Sequence, residues 1–210
     1  MHKKLFLSSC FKEVAALLPE CAGELSGKRV VFIPAASVVE KVAFFVKSGE
    51  KALEKLGMVV DELDLIQADA AEIRRKIADS DAIYICGGNT FFLLQEMKRT
   101  GADTLIAAAV HAGKLYIGES AGAMVAAHNI EYAALIDTPK KAPDLQSFAA
   151  LGLVDFYPVP HYTNPPFQKA AHKMAEQYGG QFEIKAISNH EAIWVDGDNI
   201  AVKSVAWAEQ

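Results

Sequence analysis

Gly118, Glu119, Ser120, Ala121 and Gly122 form a G-x-S-x-G pattern between an apolar, strand-like run at 114–117 and a small-residue stretch at 121–127 that opens a helix. A serine on so tight a strand-to-helix turn stands exposed at the tip of a sheet, with glycines relieving the crowding. The chemistry predicted is nucleophilic attack by the Ser120 hydroxyl. That hydroxyl is a weak nucleophile at neutral pH, so it requires a base within hydrogen-bond reach and a third group to orient the base.

Of the six histidines, His2 is terminal, His111 and His172 fall on helical patterns beside charged positions, His128 ends the stretch after Ser120, and His190 lies in a late turn beside Glu191. His161 differs. It ends the strand-like Tyr157-Pro158-Val159-Pro160 and opens the turn-rich Tyr162-Thr163-Asn164-Pro165-Pro166, a position that delivers an imidazole to the same sheet edge as Ser120. The oxyanion formed on attack needs fixed N–H donors. Cys86-Gly87-Gly88-Asn89-Thr90 ends another strand-like run, and paired glycines let the backbone approach a ligand while Asn89 or Thr90 caps the next helix. The amide of Ala121 is the expected second donor.

These turns are carried by a β-α-β rhythm. Strand-like runs at 4–8, 29–34, 59–65, 82–86 and 114–118 alternate with amphipathic stretches at 12–25, 39–56, 69–78 and 90–111, the last broken near Gly101. Near-continuous apolar strands predict an α/β fold with a mostly parallel sheet buried on both faces, and ligands gather beyond the carboxyl ends of such strands. Residues 131–147 read as a loop. Beyond it come a short strand at 156–159, a helix at 166–178, a strand at 182–187, and a C-terminal hairpin whose strands at 193–195 and 200–202 flank the turn Asp196-Gly197-Asp198-Asn199.

The 210 residues, 51% of them hydrophobic, fit one domain over 1–210. A net charge of −5 argues against nucleic acid as a partner, and no apolar run is long enough for a membrane span or a signal-peptide core. Cys10, Cys21 and Cys86, an odd and widely spaced set, suggest reduced thiols and a cytoplasmic location. His128 with Glu131, and His190 with Glu191, do not make a three-ligand metal set.

The motifs Gly87-Gly88-Asn89-Thr90-Phe91, Ser120-Ala121-Gly122-Ala123 and Pro160-His161-Tyr162-Thr163-Asn164, in this order, resemble those of the peptidase E family. That family comprises cytosolic serine peptidases, aspartyl dipeptidases among them, related to cyanophycinases. The resemblance implies a three-layer sandwich like that of class I glutamine amidotransferases, flavodoxin-like in its sheet. It implies Ser120 as nucleophile, His161 as base, and Gly87, Gly88, Asn89 and the Ala121 amide at the oxyanion hole and substrate. It also implies no metal or organic cofactor, and a small peptide as substrate of a monomer or homodimer. Asp137 matches a family aspartate assigned as charge relay. Related enzymes use a glutamate from a late strand end, where this chain has Ser188-Asn189-His190-Glu191, so Glu191 or Asn189 is the alternative orienter. Glu119 beside the nucleophile works against an anionic substrate unless its carboxylate points away, whereas Lys140 and Lys141 offer a compensating cation. An esterase, or a catalytically silent binding protein on the same fold, is the competing expectation. An amidotransferase is disfavoured, because those enzymes have cysteine where this chain has Ser120.

Overall fold

A computed structural model describes residues 2–41 and 44–205. Its main sheet has seven strands in the order β3-β2-β4-β5-β1-β8-β9. These are β1 (Lys4–Ser8), β2 (Arg29–Ile33), β3 (Val59–Glu62), β4 (Ala82–Ile85), β5 (Leu115–Glu119), β8 (Glu191–Asp196) and β9 (Asn199–Ser204). Strands β1 to β5 run parallel, while β8 lies antiparallel to β1 and forms a hairpin with β9. A separate parallel pair joins β6 (Tyr157–Val159) to β7 (Ile184–Ala186).

The two-residue period of a strand sorts the apolar side chains into two cores. Leu5, Leu7, Val31, Ile33, Ile83, Ile85, Tyr116, Ile193 and Val195 face one side. They pack there with residues of α4 (Ala70–Asp79), α5 (Thr90–Thr100), α6 (Ala102–His111), α7 (Ala121–Met124) and α8 (Gln168–Tyr178). Phe6, Val30, Phe32, Tyr84, Ile117 and Trp194 face the other side, under α1 (Phe11–Val14), α2 (Leu18–Ala22) and α3 (Phe44–Lys55). This is the expected mostly parallel α/β sandwich with a terminal hairpin.

Local boundaries follow identifiable residues. Asp69 caps α4 by accepting the Glu72 N–H at 2.8 Å, and Gly101, at φ 72°, separates α5 from α6. The helix expected over 12–25 is instead α1, a 3-10 turn and α2, since Pro19 cannot continue an incoming helix. Of the helix expected over 39–56, residues 42 and 43 lie outside the described residues, and α3 begins at Phe44. The 131–147 loop contains 3-10 turns at Glu131–Leu135 and Pro139–Lys141.

Register brings several strand ends to one edge. Ser8 pairs with Glu119 on one side and Ala192 on the other, and Ile85 pairs with Gly118. The ends of β1, β4 and β5 and the start of β8 therefore lie together. At that edge α7 packs tightly on β4: a Cβ on Gly122 would stand 2.2 Å from Ile85 O, and one on Gly118 would stand 2.5 Å from Gly122 O. Because the obstacle is backbone, Gly122→Ala should destabilise the fold by about 2 kcal/mol or more. Gly180→Ala, with nothing within 4 Å, should change stability by less than about 0.5 kcal/mol. Urea denaturation of the two variants checks the contrast, and equal midpoints would contradict it.

Candidate active site

Ser120 caps α7 with φ 50° and ψ −104°, a backbone conformation that a residue with a side chain rarely adopts. Its N–H donates to Ser8 O at 2.8 Å, while Ala123 and Met124 N–H donate to its carbonyl at 2.9 and 3.0 Å. The elbow is thus pinned at both ends, and the Ser120 hydroxyl reaches His161 Nε2 at 3.0 Å.

His161, also at positive φ (61°), is held from its main chain. Its N–H donates to Ser9 Oγ at 2.9 Å, and the Ser9 hydroxyl donates to Ile187 O at 3.1 Å. Ile187 N–H donates to Val159 O and Tyr162 N–H to Ile187 O, both at 3.0 Å, so the pairing of β6 with β7 continues into the turns after them. The turn after β6 carries His161 and the turn after β7 carries Asn189. Asn164 joins the two, its N–H donating to His161 O and its Oδ1 accepting Asn189 N–H at 2.8 Å. Phe167 lies over the imidazole, ring centroids 5.1 Å apart.

The partner of His161 Nδ1 is Asn189 Oδ1, at 2.8 Å. An amide oxygen only accepts, so Nδ1 carries the ring proton and Nε2 is left free to accept from Ser120. Asp137 and Glu191, both expected as orienters, are engaged elsewhere. Asp137 Oδ2 accepts Thr90 N–H at 2.9 Å and Thr90 Oγ1–H at 2.5 Å, because the 131–147 loop packs on the start of α5. Glu191 Oε2 accepts Ser188 N–H at 2.7 Å and so closes the turn that presents Asn189.

Burial, with a smaller opposing effect from the Asn189 bond, holds His161 below its ordinary pKa. Burial also raises Asp137 to about 6, against the two Thr90 bonds. Glu119 is 4% exposed and points inward, accepting Phe11 N–H at 2.9 Å and the Tyr84 hydroxyl at 2.6 Å. Its carboxylate does not face the Ser120 hydroxyl, so the expected conflict with an anionic substrate loses its basis. Burial first and the Glu119 charge second push the Cys86 thiol far up, which makes it a poor nucleophile.

A Cβ on Gly87 would lie 3.3 Å from Ser120 Cβ, and Gly88 at φ 135° lies hard against Ala36 O. Asn89 N–H donates to Ala36 O, Thr90 N–H to Asp137, and Gly87 N–H acts on Glu119. Among the described residues this leaves Gly88 N–H as the uncommitted amide of the turn, and the close approach of Gly87 to Ser120 sets that turn beside the elbow that carries Ala121. The Asn89 side chain is spent on structure: Oδ1 accepts Phe92 N–H and Nδ2 donates to Thr138 O. Lys141 is ion-paired with Glu40 at 2.7 Å, and Lys140 is exposed. His128 pairs with Asp155, and among the described residues no cluster of three or more His, Cys, Asp or Glu side chains could hold a metal.

Residues 5–203 match peptidase family S51. The chain belongs to peptidase family S51. It is 51% identical over 204 residues to an uncharacterized peptidase of Listeria monocytogenes serovar 1/2a, covering 97% of this chain and 100% of that one. It is 38% identical over 150 residues to Peptidase E of Citrobacter koseri, covering 70% of this chain and 61% of that one. A crystal structure of a candidate peptidase E protein from Listeria monocytogenes EGD-e superposes with a TM-score of 0.94 at 50% identity, covering 98% of this chain and 100% of that one. These S51 relatives bear out the resemblance to peptidase E, and the chain is a peptidase. Among the described residues no helix is long and apolar enough to cross a membrane.

Ser9 has no sequence signal beyond following the first strand at the edge where Ser120 stands, and Asn164, the last residue of the Pro160–Asn164 motif, takes its joining role only in the tertiary structure. Replacing the neutral partner tests the His161 geometry directly. Asn189→Asp should raise the His161 pKa, since an adjacent negative charge favours the imidazolium. An NMR titration of the ring protons reads this, and an unmoved pKa would remove Asn189 from contact with His161.

Proposed function

We propose that this S51 peptidase hydrolyses small peptides by a serine mechanism in which Ser120, His161 and Asn189 form the catalytic relay. The observation that carries the reading is the 3.0 Å contact from the Ser120 hydroxyl, on its strained elbow, to His161 Nε2. His161 accepts the Ser120 proton as Oγ attacks the scissile carbonyl. The resulting oxyanion lies against the Gly88 and Ala121 amides. His161 then returns the proton to the leaving amine, an acyl-enzyme forms at Ser120, and water activated by the same imidazole releases the acid.

Asn189 in the third position has a definite consequence. Its Oδ1 fixes the productive tautomer, with the proton on Nδ1. It supplies no charge to stabilise the imidazolium, so the relay keeps its orientation and gives up electrostatic assistance. In this reading Asp137 is a structural residue of the oxyanion turn. Dipeptides with aspartate before the scissile bond are the first substrates to try, because the peptidase E resemblance implies them and Glu119 faces away. Three free thiols are in keeping with a reducing, cytoplasmic setting.

The test is hydrolysis of Asp-X, Glu-X, Asn-X and neutral-X dipeptides, with matched esters, by wild type beside Ser120→Ala. Loss of at least about 10³-fold in kcat/KM in the variant is expected. Cleavage that survives in Ser120→Ala would sink the mechanism, and cleavage of esters alone would make the enzyme an esterase. Through the free-enzyme His161 pKa, kcat/KM should rise with pH along a limb centred below 6.5, because the base works only when neutral.

A further inference from the structure

Glu119, the residue before the proposed nucleophile, occupies a place that the reaction scheme does not use. By the alternation of β5 its side chain points to the core face that holds Tyr84 and Phe11, away from the cleft. There its carboxylate is ringed by donors. Phe11 N–H reaches Oε1 at 2.9 Å, and Oε2 takes the Tyr84 hydroxyl at 2.6 Å with Cys86 Sγ at 3.9 Å. The Gly87 N–H adds to the bonds that oppose the rise in pKa from burial.

These donors come from the ends of neighbouring strands. Phe11 follows the β1 end, where Ser9 holds His161; Tyr84, Cys86 and Gly87 belong to β4 and the turn leading to Gly88; Glu119 is itself the last residue of β5, joined to Ser120. A carboxylate is acceptor-only and can take several donors at once, whereas an amide in its place would turn an NH2 group toward some of them. A buried carboxylate that lost this ring would also be costly, so the donors and the acid hold one another in place.

We infer that Glu119 is a positioning residue for the peptidase reaction, a buried acceptor that fixes the Ser120 elbow, the Gly87–Gly88 turn and the β1 end relative to one another. The inference rests on the serine-peptidase reading. Displacement of a reacting group by about 1 Å costs on the order of 10²-fold, so a modest slackening of this joint is visible in the rate.

The test is the kinetics of Ser120 phosphonylation by a fluorophosphonate in wild type, Glu119→Gln and Tyr84→Phe, followed by intact mass. The amplitude counts folded sites, and the rate constant reports the placement of nucleophile, base and oxyanion donors. Glu119→Gln should slow the rate constant by about 10- to 100-fold, and Tyr84→Phe by about threefold or more, with amplitudes near wild type. A merely structural role would lower the amplitude and leave the rate constant of the reactive fraction unchanged, which overturns the inference. If Glu119→Gln does not fold, Tyr84→Phe decides by the same criterion. A wild type that is not labelled at Ser120 overturns the serine reading and this inference together, whereas a labelled wild type with unchanged variant rate constants overturns this inference alone.

Discussion

Ser120 stands at φ 50°, and such a conformation costs on the order of 1–3 kcal/mol unless its surroundings leave no alternative. Everything near it contributes to that confinement. The β5 register fixes the residue before it, α7 amides donate to its carbonyl, and Ser8 O takes its N–H. The absence of side chains at Gly118 and Gly122 lets α7 press against the β4 backbone. With the turn held this way the hydroxyl leaves the sheet tip in one direction, and the rest of the site consists of loops brought to meet it.

Those loops meet because of strand direction. A parallel sheet presents only carboxyl ends at the functional edge, and here these are Ser8-Ser9, Gly87-Gly88 and Ser120. The antiparallel strand β8 adds an amino end at the same edge, since Ala192 pairs with Ser8. The Ser188–His190 turn that precedes it lands beside the turn after β6, and the small β6–β7 pair holds the two turns side by side. A relay of hydroxyl, imidazole and amide is thereby assembled from residues 41 and 28 positions apart in sequence.

The fold was legible in the sequence because its strands are apolar on both faces and its helices amphipathic, so periodicity marked where most elements lie. Boundaries slipped where local chemistry intervened, as at Pro19, or where the final register placed Glu119 in the strand and not in the turn. Ser120 and His161 were readable because each combines a reactive side chain with a turn at a strand end. The third member was harder to read. Asp137, Asn189 and Glu191 are all polar residues in turns, and only the tertiary packing of the 131–147 loop on α5 sends Asp137 to Thr90. Ser9 carried no motif, since its bond to the His161 main chain spans 152 positions.

The site is also costly to the fold in its protonation equilibria. Asp137 has a folded-state pKa near 6, above its ordinary value, so the native state holds its proton more tightly than the unfolded chain does. Stability from this group is full at low pH and declines as pH rises through that range. His161 acts in the opposite sense: its pKa falls on folding, so the native state resists the imidazolium, and stability is lost as pH drops below about 6.5. Burial dominates both shifts, the same burial that keeps the imidazole neutral and the Thr90 bonds dry. A cleft open enough to relax both groups would give back stability near neutral pH and lose the base its readiness. The bonds that Thr90 donates to Asp137 and that His161 Nδ1–H donates to Asn189 Oδ1 are the means by which the fold tolerates that burial.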